Sequence, residues 1–176
     1  VLVRFADIVS ACEARLSRPQ DSVGFAPHSL RAASHDDLVS LTQAWPGKTV
    51  HIHIAEQMKE VEDCLTFSGR RPVEWLLENL PVDDRWCLIH ATHLTEAERR
   101  GIAASGAVAG LCPVTEANLG DGLFPAVDFL ARSGRIAIGT DSNVRIDLAE
   151  ELRVLEYGQR LFHRERNLLA DEGGST

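Results

Sequence analysis

Short runs in which apolar and polar residues alternate recur along the chain, and stretches with helical spacing separate them. The alternating runs predict strands over 22–27, 49–55, 86–91, 107–112 and 135–140. Helices are predicted over 35–44, 57–67, 72–80, 96–104, 123–131 and 148–167, and the first residues also read as a helix. Thr95 with Glu98 has the spacing of a capping box, and Pro72 suits a first helical turn. Gly69, Gly106 and Gly134 each stand just past a periodic segment, where a helix stops. In the last helix, Leu148, Leu152, Leu155 and Leu161 read as the buried stripe and the charged residues as the solvated face. Strand followed by helix, repeated every roughly 25–35 residues, is the pattern of βα units feeding a parallel sheet.

Two architectures suit such repeats. An open doubly wound sheet is complete at this length, whereas a (β/α)8 barrel needs about 250 residues and eight strands. No glycine-rich phosphate loop follows any strand, so nucleotide-binding folds gain no support. Length alone favours the open sheet; the placement of polar residues favours the barrel. In 49–55, His51 and His53 share one face and Ile52 and Ile54 the other. In the run 135–141, Ile136 and Ile138 point one way, while Ala137, Gly139 and Asp141 point the other. His90 ends its strand with His93 three residues on, and His28 stands just past a strand end with Arg31 following. Titratable side chains therefore gather at the carboxyl edge of a parallel sheet, where sites are built: His28, His53 with Glu56, His90, and Asp141. Imidazole nitrogen and carboxylate oxygen are suitable zinc ligands. His51 and His93 are open to a structural or a functional reading, His35 and His163 read as surface residues, and Cys112-Pro113 reads as a strand end.

Composition narrows the classes. With 44% hydrophobic and 25% charged residues among 176, the chain is of ordinary globular composition and can bury one sizeable core. A formal net charge of −8 argues against binding a nucleic-acid backbone. No apolar run reaches a membrane span of about 20 residues. Four scattered cysteines without a CxxC pair read as free thiols of a reducing cytoplasm.

The segments "HIHIAE", "LIHATHL", "CPVTEANLGDG" and "IGTDSN", in this order and spacing, resemble the second half of a deaminase of the amidohydrolase superfamily. The segments "APHSLR", "SGRRPVEWL" and "EANLGDGLFPAVDFL" place the resemblance nearest the branch that deiminates N-formimino-L-glutamate in histidine degradation. The resemblance implies a (β/α)8 barrel with one zinc ion per subunit, iron(II) being the alternative metal, in a cytoplasmic homodimer acting on a small molecule. It implies His53 and Asp141 as metal ligands, Glu56, His90 and Asp141 as catalytic groups, and His28, Arg31 and His90 as substrate contacts. The strands present match the fourth to eighth of that barrel. No first strand with its HxH ligand pair is found, so residues 1–170 are expected to be a partial barrel domain whose strands one to three lie upstream of Val1, and 171–176 a disordered or truncated tail. Two other readings stay open. One is a deaminase of the same superfamily acting on a nucleobase or nucleoside, although the three Trp, one Tyr and six Phe form no cluster beside the strand ends. The other is an inactive barrel fragment.

Overall fold

The computed structural model describes residues 2–143 and 145–170, so the expected tail at 171–176 lies outside the described residues. Four parallel strands form one sheet: β1 (Val50–Ile54), β2 (Trp86–His90), β3 (Val108–Leu111) and β4 (Arg135–Ile138), in the order β1-β2-β3-β4. Around them run α1 (Leu2–Glu13), α2 (His35–Ala44), α3 (Met58–Ser68), α4 (Pro72–Asn79), α5 (Glu96–Ser105), α6 (Pro113–Leu119), α7 (Ala126–Ala131) and α8 (Leu148–His163). The strand order never reverses, and parallel crossovers are almost always right-handed, so the crossover helices fall on one face. The sheet is therefore singly wound, which excludes the doubly wound alternative.

Burial follows the same division. Ile52, Leu88 and Ala109 are paired side by side and lose all contact with solvent. They join one core with Val61, Val73, Leu76, Ile102 and Phe129 from the helices. The opposite face carries two cross-strand rows: His51, Cys87, Val108 and Arg135, then His53, Ile89, Gly110 and Ala137. His51, Arg135 and Ala137 are exposed there. The face predicted to carry the imidazoles is the one without crossover helices.

The first expected strand, over 22–27, is not a strand of the sheet. Phe25 makes a single parallel bridge to Val50, donating to the Thr49 carbonyl at 3.0 Å and accepting from His51 at 3.0 Å. The ladder's next donor falls at residue 27, which is proline and has no N–H. Pairing resumes as a second bridge between Ser29 and His53, with the His28 carbonyl accepting from the His53 amide at 3.0 Å.

The helices meet expectation with several corrections, one being that α8 ends at His163 rather than at 167. The capping box at Thr95 and Glu98 is present, and Pro72 opens α4. Gly69 and Gly106 end their helices in the left-handed conformation, at φ of 71° and 79°. Gly134 does not cap a helix: Ser133 takes the left-handed turn, and a Cβ on Gly134 would lie 2.5 Å from the Phe129 ring. Helix α7 starts at Ala126 rather than 123, after a helix α6 that the alternation pattern had not signalled. In α8 the buried stripe is Glu151, Leu155 and Gln159, while Leu148, Leu152 and Leu161 are exposed, Leu161 at 82%. Two polar residues face inward because each finds a partner. Glu151 accepts from the Val114 amide at 2.8 Å, and Gln159 donates to the Phe124 carbonyl at 2.9 Å.

Candidate active site

The carboxyl end of β1 brings together the residues expected of it. His53 points to the open face, and its Nδ1–H donates to the His28 carbonyl at 2.8 Å. That bond fixes the tautomer and leaves the Nε2 lone pair free, the arrangement usual for a metal-ligating imidazole. The His28 ring lies 5.1 Å from that of His53 between centroids, and its Nδ1 is 2.9 Å from the hydroxyl of buried Ser29. Ser29 in turn accepts from the Arg31 amide at 3.2 Å, which ties the segment 28–31 into one turn beside the strand end. After β1 the chain passes through Ala55 at a φ of 50°, and Glu60 holds this turn. Its buried carboxylate accepts from the Ala55 amide at 3.1 Å and the Glu56 amide at 3.0 Å.

At the end of β2, His90 pairs in register with Ile54, so strict alternation would turn it toward the helices. Its left-handed backbone, with a φ of 67°, takes it out of the pleat. Its ring stacks on that of His53 at 5.6 Å and an interplanar angle of 29°. Nε2 of His90 is 3.8 Å from Glu56 Oε1, and Glu56 Oε2 is 3.8 Å from a terminal nitrogen of half-exposed Arg31. Nδ1 of His90 donates to Glu116 Oε1 at 3.2 Å. Burial opposes the charged imidazole, but the bond to Glu116 and the carboxylates of Glu56, Glu116 and Asp141 outweigh it and raise the pKa above the ordinary histidine value. The same setting, burial first and then the neighbouring carboxylates of Glu116 and Asp141, pushes the Cys112 thiol up to about 12. Cys112 is thus a neutral, buried residue, in keeping with its place between β3 and α6.

Asp141 follows β4 with a φ of 50°, exposed, and its carboxylate makes no hydrogen bond or ion pair among the described residues. Positive φ at Ala55, at His90 and Ala91, and at Asp141 places left-handed backbone at the carboxyl ends of three strands. Strain of this kind collects where a site must aim its side chains. The donor chemistry of His53 and Asp141 suits a divalent cation, since one offers a bare Nε2 and the other an unengaged carboxylate. Among the described residues no group of three or more His, Cys, Asp or Glu is placed to hold a metal.

His51 is exposed near the amino end of β1, away from these groups. His93 is half-buried, its Nε2 buried without a partner among the described residues and its carbonyl accepting from Arg71 at 2.6 Å. His35 and His163 are exposed, as expected, with His35 edge-on to Trp75 at 5.7 Å. The four cysteines are free. Sequence reasoning missed Glu116 and Glu60. Both stand in the first turn of a helix and reach back to a strand end, and Pro113 and Gly120, at the two ends of α6, are the signals that would have located Glu116.

Residues 16–174 match the model of the amidohydrolase family. The chain is 54% identical to a formimidoylglutamate deiminase of Pseudomonas aeruginosa over 94% of its own length and 37% of that protein's. Among solved structures, it resembles an amidohydrolase from Brucella melitensis at 57% identity and a TM-score of 0.92, over 98% of this chain and 39% of that one. An adenosine deaminase from Xanthomonas campestris with bound zinc follows at 28% identity and a TM-score of 0.84, over 92% and 38% of the two chains. The chain spans less than two fifths of each of these relatives. On this match the chain belongs to the amidohydrolase family.

Proposed function

We propose that this chain is the part of a longer zinc-dependent deiminase that carries the acid–base and substrate-binding groups. The reaction is hydrolysis of N-formimino-L-glutamate to N-formyl-L-glutamate and ammonia, a step of histidine degradation. The observation that carries this reading is the unbroken series of contacts His28–His53–His90–Glu56–Arg31 at one sheet edge, in a chain 54% identical to a formimidoylglutamate deiminase. In the longer enzyme, segment 25–29 with β1 to β4 would be strands four to eight of a (β/α)8 barrel. The remaining strands and the missing metal donors would come from outside these residues. The same reading makes the enzyme a cytoplasmic homodimer.

His53 Nε2 and the Asp141 carboxylate would hold the zinc, with iron(II) as the alternative. The chemistry such a metal would supply is a water-derived nucleophile at neutral pH. Asp141, exposed and without a partner of its own, accepts a proton at its carboxylate. Glu56 and His90, facing each other across 3.8 Å, move protons to the formimino nitrogen, so that it leaves as ammonia and the formyl group stays on glutamate. Arg31 binds a substrate carboxylate through charge-assisted hydrogen bonds, and His28 adds a second contact. A net charge of −8 repels a dicarboxylate, so the local guanidinium has to attract it.

The test is ammonia release by the full-length enzyme offered formiminoglutamate, adenosine and guanine in parallel. Turnover of formiminoglutamate with N-formylglutamate as the product supports the reading. Release from adenosine or guanine alone would replace it with a nucleoside or nucleobase deaminase.

A further inference from the structure

We infer that Glu116 is a positioning residue for His90: its carboxylate holds the imidazole by Nδ1 and keeps a proton there, so that Nε2 is the nitrogen presented to Glu56. Glu116 lies in the first turn of α6, is 3% exposed, and uses a single oxygen, Oε1, twice. Oε1 accepts from His90 Nδ1 at 3.2 Å and from the Cys112 amide at 2.8 Å. The second bond fixes the oxygen in space, because the Cys112 amide belongs to the junction of β3 and α6 and cannot swing away. Oε1 already serves as the acceptor of the Cys112 amide, which assigns the hydrogen between Oε1 and the ring to Nδ1. The His90 ring is held on its other sides by the stack on His53 and by a left-handed backbone.

A neutral imidazole free of such a partner populates both tautomers and can turn over about χ2, exchanging the nitrogens. With Glu116 in place, one tautomer and one ring orientation remain, and Nε2 lies 3.8 Å from Glu56 Oε1. Deletion of the carboxylate would leave two buried donors unpaired as well as freeing the ring. The use of this arrangement rests on the reading of His90 as an acid–base group; the arrangement itself does not.

The test is nitrogen-15 NMR of the full-length enzyme with labelled histidine, with the His90 signals assigned by comparison with His90→Gln. In the neutral ring, Nδ1 of His90 is expected to carry the proton and Nε2 to be bare. Glu116→Gln should keep that signature, because the Cys112 amide orients the new amide oxygen toward Nδ1. Glu116→Leu should lose it and show a mixture containing the Nε2–H tautomer. A bare Nδ1 in the parent enzyme, or a Glu116→Leu spectrum identical to the parent's, overturns the inference. If Glu116→Leu does not fold, the parent and Glu116→Gln decide: a bare Nδ1 in either one refutes it. A failed ammonia assay alongside a protonated Nδ1 counts against the deiminase reading alone.

Discussion

At the scale of residues, the roles separate by what each side chain can do where it stands. Glu56 is near both His90 and Arg31, so it can exchange a proton with one and be held by the other. Glu56→Gln keeps the shape and removes the proton carrier. In the full-length enzyme kcat is expected to fall by about 10²–10⁴-fold with little change in KM, and a turnover near that of the parent would exclude Glu56 as a proton carrier. Arg31 is half-exposed, which under the proposed function lets it meet a substrate arriving from solvent. Arg31→Met is expected to raise KM for formiminoglutamate about 10- to 100-fold, the loss of a charge-assisted bond, while kcat moves less. An unchanged KM removes Arg31 from the substrate site. The face of His53 was legible from strand alternation, and Glu56, His90 and Asp141 were located by their places at strand ends, although a left-handed backbone rather than alternation aims His90. Glu116 was not legible. Its role depends on an i to i−4 reach across a helix start, and a seven-residue helix leaves too little periodicity to be read.

At the scale of elements, buried glutamates early in the helices fasten backbone amides just past strand ends and at helix starts. Glu60 of α3 holds the Ala55 and Glu56 amides, Glu98 of α5 the Thr95 amide, Glu116 of α6 the Cys112 amide, and Glu151 of α8 the Val114 amide. Glu98 also pairs with Arg71, but among the described residues Glu151 has no cation paired with it and one of its oxygens is buried without a partner. Its pKa is raised, by burial first and then by Glu116 and Glu150, against the pull of the Val114 amide. A carboxyl whose folded pKa is raised costs nothing while it is protonated in both states, and its penalty grows as pH climbs through the folded value. Glu151→Gln is therefore expected to stabilise the chain by about 1 kcal/mol in urea unfolding at neutral pH, with the gain shrinking as pH falls toward the ordinary glutamate value. A gain independent of pH would show that the charge is not the cause. The same helix shows why the leucine stripe was misread. Periodicity finds an apolar face, but buried hydrogen bonds can outrank it and turn Glu151 and Gln159 inward. The lost strand at 22–27 has a similar origin, since alternation is blind to the one amide that Pro27 cannot provide.

At the scale of the whole molecule, the sheet is finished on one face and open on the other. Its helix side is a continuous core, whereas His51, Ala137 and Arg135 stand exposed on the open side. Apolar side chains on the outer surface, Phe67 at 95% exposure among them, add further uncovered area. The repeated strand–helix rhythm made the parallel sheet readable, and the strand order then distinguished a singly from a doubly wound fold. Convergence of strand ends cannot be read from spacing alone, because it depends on twist and closure that accumulate over the whole sheet. Under the proposed function, two donors 88 positions apart, His53 and Asp141, share one ion. The measurement that tests it most directly is anomalous diffraction at the zinc edge from crystals of the full-length enzyme. The expected result is one ion with His53 Nε2 and an Asp141 carboxylate oxygen both about 2.0–2.2 Å away, and loss of the ion in His53→Ala. An ion bound without either residue, or His53 and Asp141 ligating nothing in a metal-loaded and active enzyme, would contradict it.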